Sequence, residues 1–381
     1  MIFNRWAPGR IALAACMALL AQNRAGAQSV VFSNGNKGIA RFADKYGAGP
    51  RQPSRPTAPS ASGIPYYSKG FASLKGKSVT LRLIGTDPGA GAASTTIPAV
   101  IQPLRVVFSD GTVLDGTDVV AAVASSPVFA TADYTFGAVD VGTTQYLDAM
   151  QRAQFWNFTG FSQSGYHLLL GSPTVNPAIT VNVPADKGFA ITSSAGVLIG
   201  LVDNAYLSAI IDGVATGGAF APNQLPLIVT DNVLQYDSAG CCVIGYHSSQ
   251  SGSPATAQTW VYSAWVRTNT FGASFDDAVG LSHELTEWAN DPFVGDFSTL
   301  NVIPPAVLPG QGACIINFET GDPAEAVAGG SFAQTIGGVT YHLQDVATLW
   351  WYLHTSPSPA ANGWYSVNGL FRQPSSLCGP G

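Results

Sequence analysis

Ser282-His283-Glu284-Leu285-Thr286-Glu287-Trp288-Ala289-Asn290-Asp291-Pro292 is the segment whose reading decides this fold. Its pattern is His-Glu-x-x-Glu. On a helix, His283 and Glu287 stand four residues apart and project from one face. An imidazole and a carboxylate so placed can grip a single metal ion. Glu284 sits beside them, where a general base for a polarised water is needed. Pro292 cannot continue a helix and predicts its end. Asp276 and Asp277 are expected in the first turn, where acids complement the helix dipole, so the helix should run from about 276 to 290.

Working outward, Leu227-Ile228-Val229, Cys242 to His247 and Trp260 to Val266 read as three strands leading into this helix. Further upstream, strands are expected at Ser78 to Ile84, Ala99 to Phe108, Tyr166 to Leu170 and Ile179 to Val183. Pro103 lacks an N–H and should lie at an edge or a bulge. Ser109-Asp110-Gly111-Thr112 has hairpin-turn composition. Helices are expected at Tyr146 to Trp156 and at Val202 to Ile211, the latter ending just before Gly213. Downstream come Pro/Gly-rich loops, a strand at Val339 to Leu343 and a short helix at Val346 to Tyr352. The order predicts an α+β chain: a mixed sheet with an active-site helix, plus a β-rich N-terminal region.

A catalytic metal site needs three protein ligands and an open position for water. Asp291, at i+8 from His283, and the downstream Glu319-Thr320-Gly321-Asp322 supply candidates. The metal set is therefore His283, Glu287, Glu319, Asp322 and Asp291, around one divalent ion. Zinc is expected if the site is catalytic. A carboxylate in place of a second imidazole also suits calcium, magnesium or manganese. A surface helix with acids and a stray histidine would present the same three positions. His247 and His342 are candidates to line the cleft, with Asp345 able to orient His342. His167 and His354 read as packed or exposed. No Gly-x-Ser-x-Gly elbow occurs.

The Ser282 to Glu287 core with Asp291-Pro292, followed by Glu319-x-x-Asp322 near Cys314, resembles the exported exordium-like, or phosphate-induced, proteins, which look like remote zincins. Cys241-Cys242 with Gly245-Tyr246-His247, and Gln151 to Trp156 with Tyr166-His167, are similar to further stretches of that group. The resemblance covers about residues 130 to 370. It implies a zincin-like fold and metal-dependent hydrolysis of peptidase type, with Glu284 as base. The departure from the His-Glu-x-x-His of zinc peptidases is Glu287 in place of the second histidine. The alternative is a non-catalytic exported protein on the same scaffold that binds cell-wall glycans. Trp350-Trp351-Tyr352 and Trp364-Tyr365 are its candidate stacking residues, set against the commoner role of aromatics in cores.

Residues 1–27 read as an export signal: Arg5 and Arg10, an apolar run from Ile11 to Ala21, and Ala25-Gly26-Ala27 before the cleavage point. Leu13-Ala14-Ala15-Cys16 offers a rival lipoprotein reading. The expected location is periplasmic or secreted. Losing Arg5, Arg10 and Arg24 leaves 14 of the 17 basic residues against 23 acids, a net charge of −9. That charge argues against a nucleic-acid partner and leaves a peptide or cell-envelope substrate. No later run is long and apolar enough to span a bilayer. Residues 28–75, rich in Pro, Ser and Gly, read as a linker or pro-segment. Residues 76–381 form the main domain, with a split near 190–200 as the alternative. Cys241, Cys242, Cys314 and Cys378 suggest two disulfides. Separate distant partners for Cys241 and Cys242 are favoured over a bond between them or a zinc-thiolate cluster.

Overall fold

The computed structural model describes residues 63–378, apart from 74, 75, 77, 138, 157–164, 239 and 272–274. The expected leader, Cys16 and most of the 28–75 segment lie outside the described residues. The end of that segment is no linker. Tyr66–Ala72 is a strand paired antiparallel with Ser78–Ile84. Tyr67 and Phe71 share one of its faces and pack with Leu81 and Leu83. The alternation was masked by the polar and glycine residues between them.

The chain is a mixed α+β structure. Its helices are α1 (Thr117–Ser125), α2 (Tyr146–Gln154), α3 (Asn204–Thr216), α4 (Val279–Asn290), α5 (Asp322–Glu325) and α6 (Leu349–Leu353). The main path of the seven-stranded central sheet is formed by β1 (Ala99–Phe108), β2 (Ile179–Val183), β3 (Leu225–Asp231), β4 (Gly245–Ser249) and β5 (Thr259–Trp265). They lie in the order β2-β1-β3-β5-β4. All pair in parallel except β4, which runs antiparallel to β5 with His247 opposite Val261. Strands buried on both faces read as near-continuous apolar runs, and β3, Leu225-Pro226-Leu227-Ile228-Val229-Thr230-Asp231, is buried throughout.

Each face of the sheet carries helices. Leu281, Leu285, Trp288 and Ala289 of α4 pack with Ile101, Leu227, Val229 and Val261. On the other face, Leu207 and Ile211 of α3 pack with Leu104, Ile228 and Tyr262. Trp288 is fully buried and its Nε1 donates to Thr259 Oγ1 at 2.9 Å. Trp288→Ala would remove this contact and open a cavity. It should destabilise the protein by about 3–5 kcal/mol, read as a lowered urea midpoint with unchanged slope.

Several sequence readings are corrected. Pro103 lies inside the sheet, in β1, opposite Val229. On the other side of β1 the partner changes there: Thr174–Val175 pairs with 100–101 and β2 with 104–108. The missing N–H falls in that gap and costs no ladder bond. The 109–112 turn forms, closing β1 onto Val113–Asp115, with Gly111 at φ 86°. Helix α3 starts later than expected, because Asp203 caps it by accepting from Tyr206 N, and it runs through Gly213. The expected strand from Cys242 to His247 is two strands in different sheets. Gly240–Val243 closes a four-stranded sheet, and β4 edges the central one. Helix α4 begins at Val279, so Asp276 and Asp277 precede it. Asp277 sits at φ 43° and accepts hydrogen bonds from His342 N and Ala278 N instead of occupying the first turn.

Cys241 and Cys242 bond to each other, against the favoured reading, and Cys314 bonds to Cys378. All four thiols are used, so no thiolate cluster forms from them. Trp350, Trp351 and Tyr352 are buried in a C-terminal apolar cluster with Phe155, Phe318 and Phe371. They have no face to offer a sugar. The Arg372 guanidinium covers the Trp364 ring at 4.8 Å. No helix among the described residues is long and apolar enough to cross a membrane.

Candidate metal centre

Three elements converge on the polar side of α4. The helix presents His283, Glu284 and Glu287, while its opposite side is held to the sheet by Leu285 and Trp288. Strand β4 contributes His247. The segment joining Cys314–Asn317 to α5 contributes Glu319 and Asp322.

The predicted pair is in place: His283 Nε2 lies 3.2 Å from Glu287 Oε1. Asp322 Oδ1 is 3.7 Å from the same nitrogen, and Glu284 Oε1 is 4.0 Å away. Donor atoms of His283, Glu287 and Asp322 all lie within 4.8 Å of one another, and so do those of His247, Glu284 and Glu287. Gly321 N and Asp322 N donate to Glu287 Oε1 at 3.0 and 3.1 Å. These bonds fix the carboxylate against the downstream segment.

Glu319 lies beside the second set, with Oε2 3.6 Å from His247 Nε2. That oxygen is buried and has no hydrogen-bond partner, and Asn317 Nδ2 donates to the other carboxylate oxygen. Asp291 belongs to neither set. Its carbonyl oxygen lies 3.1 Å from His247 Nε2, its Oδ1 accepts from Asn301 N, and its Oδ2 is buried without a partner. His342 does not join the cluster, because its Nδ1 pairs with Asp277 Oδ2 at 2.7 Å. Asp345 does not orient it either. Its carboxylate accepts from the backbone of Val346, Asn368 and Leu370. His167 pairs with Asp148 and His354 with Ser375.

His247 was expected only to line a cleft, yet it lies at the centre of the cluster. The sequence signal for it was Gly245-Tyr246-His247 on a strand before the helix. Nothing in its spacing from His283 marks a ligand.

The electrostatics are severe. Glu284, Glu287, Asp291, Glu319 and Asp322 crowd round two imidazoles, so the acids outnumber the bases. Among the described residues, ion pairs to lysine or arginine join Lys69 to Asp87, Arg105 to Asp115 and Arg267 to Asp231, and none reaches the cluster. Burial raises the Glu319 and Asp322 carboxyls well above the carboxylate range, and the neighbouring Glu287 raises both further. Burial also raises Glu284, and it pushes Asp291 up to about 7. Glu287 goes the other way: burial opposes its ionisation, but His283 and then His247 outweigh that and lower it. Burial works against charging His283, yet Glu287 beside it raises the imidazole well above its usual value. Buried like charges without a counter-cation are strongly unfavourable. A divalent cation relieves them, so oxygen-rich donors with two imidazoles and orphaned carboxylate oxygens fit such an ion.

Close packing supports the arrangement. A Cβ on Gly321 would fall 2.5 Å from His283 Nδ1, and one on Gly245 would fall 2.9 Å from Glu284 Cγ. Gly321→Ala should displace the His283 ring and weaken cation binding about 10–100-fold, as loss of a ligand's supporting contact does. Calorimetric titration checks this. Unchanged affinity would show that the loop yields instead of the ring.

Comparison with protein-family models, curated proteins and solved structures returns no match.

Proposed function

We propose that this chain is an exported, metal-dependent hydrolase of peptidase type, built on a zincin-like arrangement. The observation that carries the reading is the meeting of His283, Glu287 and Asp322 around one point, with the Glu284 carboxylate at its edge. A mixed, mostly parallel sheet with the helix that carries His283, Glu284 and Glu287 packed on one face suits such a site.

Access favours the His283 side. The side chains of His283 and Asp322 are each 13% exposed, whereas those of His247 and Glu287 are 1% exposed. A substrate carbonyl would therefore arrive past His283 and Asp322. A divalent cation held there would supply Lewis acidity and lower the pKa of a water molecule.

The protein's own groups then divide the work. His283, Glu287 and Asp322 would hold the cation. Glu284 accepts the proton of the attacking water on Oε1, the oxygen facing His283, and returns it to the leaving amine. Burial raises the Glu284 carboxyl toward working pH, which makes it a better base than an exposed carboxylate. The Gly321 and Asp322 N–H groups, donating to Glu287 Oε1, favour its ionised form and hold it still. The buried wall behind Glu284 excludes water from the far side.

The export reading is consistent with two disulfides, which persist in oxidising compartments. Casein incubated with the purified chain tests the activity. The reading expects hydrolysis that a chelator abolishes and Zn²⁺ or Mn²⁺ restores. Hydrolysis indifferent to chelator would contradict it.

A further inference from the structure

We propose that the centre binds two divalent cations, the second held by His247, Glu284 and Glu287, with Glu287 shared between them. This rests on the metal-dependent reading above and extends it to a site with a separate ligand set.

The orientation of His247 carries the argument. Its Nε2 lies 3.1 Å from the Asp291 carbonyl oxygen. A carbonyl only accepts, so Nε2 bears the hydrogen. Nδ1 then presents a lone pair, and it faces Glu284 Oε2 at 3.4 Å and Glu287 Oε2 at 3.8 Å. The Nδ1 lone pair and the two carboxylate oxygens converge on one point. Metal-ligating imidazoles show this disposition: one nitrogen donates to a backbone carbonyl, which fixes the tautomer, and the other faces the ion. Without an ion, a second proton on the imidazole takes that place.

Glu287 divides its oxygens between the two imidazoles, Oε1 toward His283 and Oε2 toward His247. Glu284 is split in the same way, with Oε1 toward His283 and Oε2 toward His247. Carboxylates placed between two nitrogen ligands in this manner suit a pair of ions. Glu319 Oε2, buried and without a hydrogen-bond partner, lies on the other side of the ring, 3.6 Å from His247 Nε2, and adds to the acids crowding the imidazole. One divalent ion would leave most of the surrounding carboxylate charge unbalanced. The His247 side is closed to solvent, so the second ion is a resident charge and not the substrate's contact.

Native mass spectrometry of the full chain loaded with Zn²⁺ tests the proposal without relying on activity. Two ions per chain are expected, falling to one in His247→Gln and to one in Asp322→Asn. A single ion in the wild-type chain would overturn the second site and leave the His283 site standing. No ion would overturn both. Two ions retained in His247→Gln would place the second elsewhere and also overturn the assignment. A fold-independent check is the Mn²⁺ electron paramagnetic resonance spectrum of the wild-type chain. A spin-coupled pair is expected through the shared carboxylate, and an isolated six-line signal alone at full loading would contradict it.

Discussion

Glu284→Gln is expected to lower hydrolysis about 10²–10⁴-fold while leaving the fold and the cation held by His283 in place. Glutamine keeps the volume of the side chain and so respects the tight approach of Gly245 to Glu284 Cγ. It cannot accept the proton. The loss should fall on kcat, because the base acts in the transition state and not in substrate binding. Circular dichroism would confirm that the variant is folded, and metal content that at least the ion held by His283 is retained. Unimpaired hydrolysis by the variant would remove Glu284 from its role. A wild-type chain that cleaves no peptide at any metal loading would leave the scaffold without the proposed chemistry.

The second large effect is on stability, and its sign follows from the buried acids. Asp291 is pushed up to about 7 from an ordinary carboxylate value of 3.8, and Glu284, Glu319 and Asp322 are also raised. A group whose pKa is higher folded than unfolded favours the folded state at low pH, and that contribution is lost as pH climbs through the folded value. For Asp291 the window runs from about 4 to about 7. The raised imidazoles of His247 and His283 act in the same direction, and within the cluster the lowered Glu287 opposes them. The metal-free protein should therefore melt roughly 5–10 °C lower at pH 8 than at pH 5. A divalent cation should close much of that gap, and its benefit should be larger at pH 8, because ligands must be deprotonated to bind. Asp345, raised by burial to about 6, adds a pH dependence that no cation relieves. Calorimetric scans with and without Zn²⁺ separate the two. A cation effect equal at both pH values would mean that these carboxylates are not its ligands.

The parts of the site legible in sequence were those close together in the chain. His283 and Glu287 followed from helical spacing, and Glu319 with Asp322 followed from a compact acidic pair downstream. The strand β2 and the turn at 109–112 were legible because alternation and turn chemistry are local signals. His247 was not legible as a ligand. It reaches His283's neighbours only because β4 pairs antiparallel to β5 at the sheet edge under which α4 packs. Such an encounter is set by topology, and no spacing rule encodes it. The bond between Cys241 and Cys242 was weighed and set aside, since cysteine counts cannot give connectivity. Pro103 misled for a related reason: a missing donor matters only if a partner strand is there to use it, and here the partner breaks between 175 and 179, far away in sequence.

Elemental analysis of the purified chain beside its His283→Ala variant bears most directly on the central claim. Divalent metal in stoichiometric amount in the wild type, with clear loss in the variant, is the result predicted. A wild-type chain that stays metal-free after exposure to Zn²⁺ and Mn²⁺, or a variant that keeps its full complement, would contradict the assignment of this cluster as a metal centre.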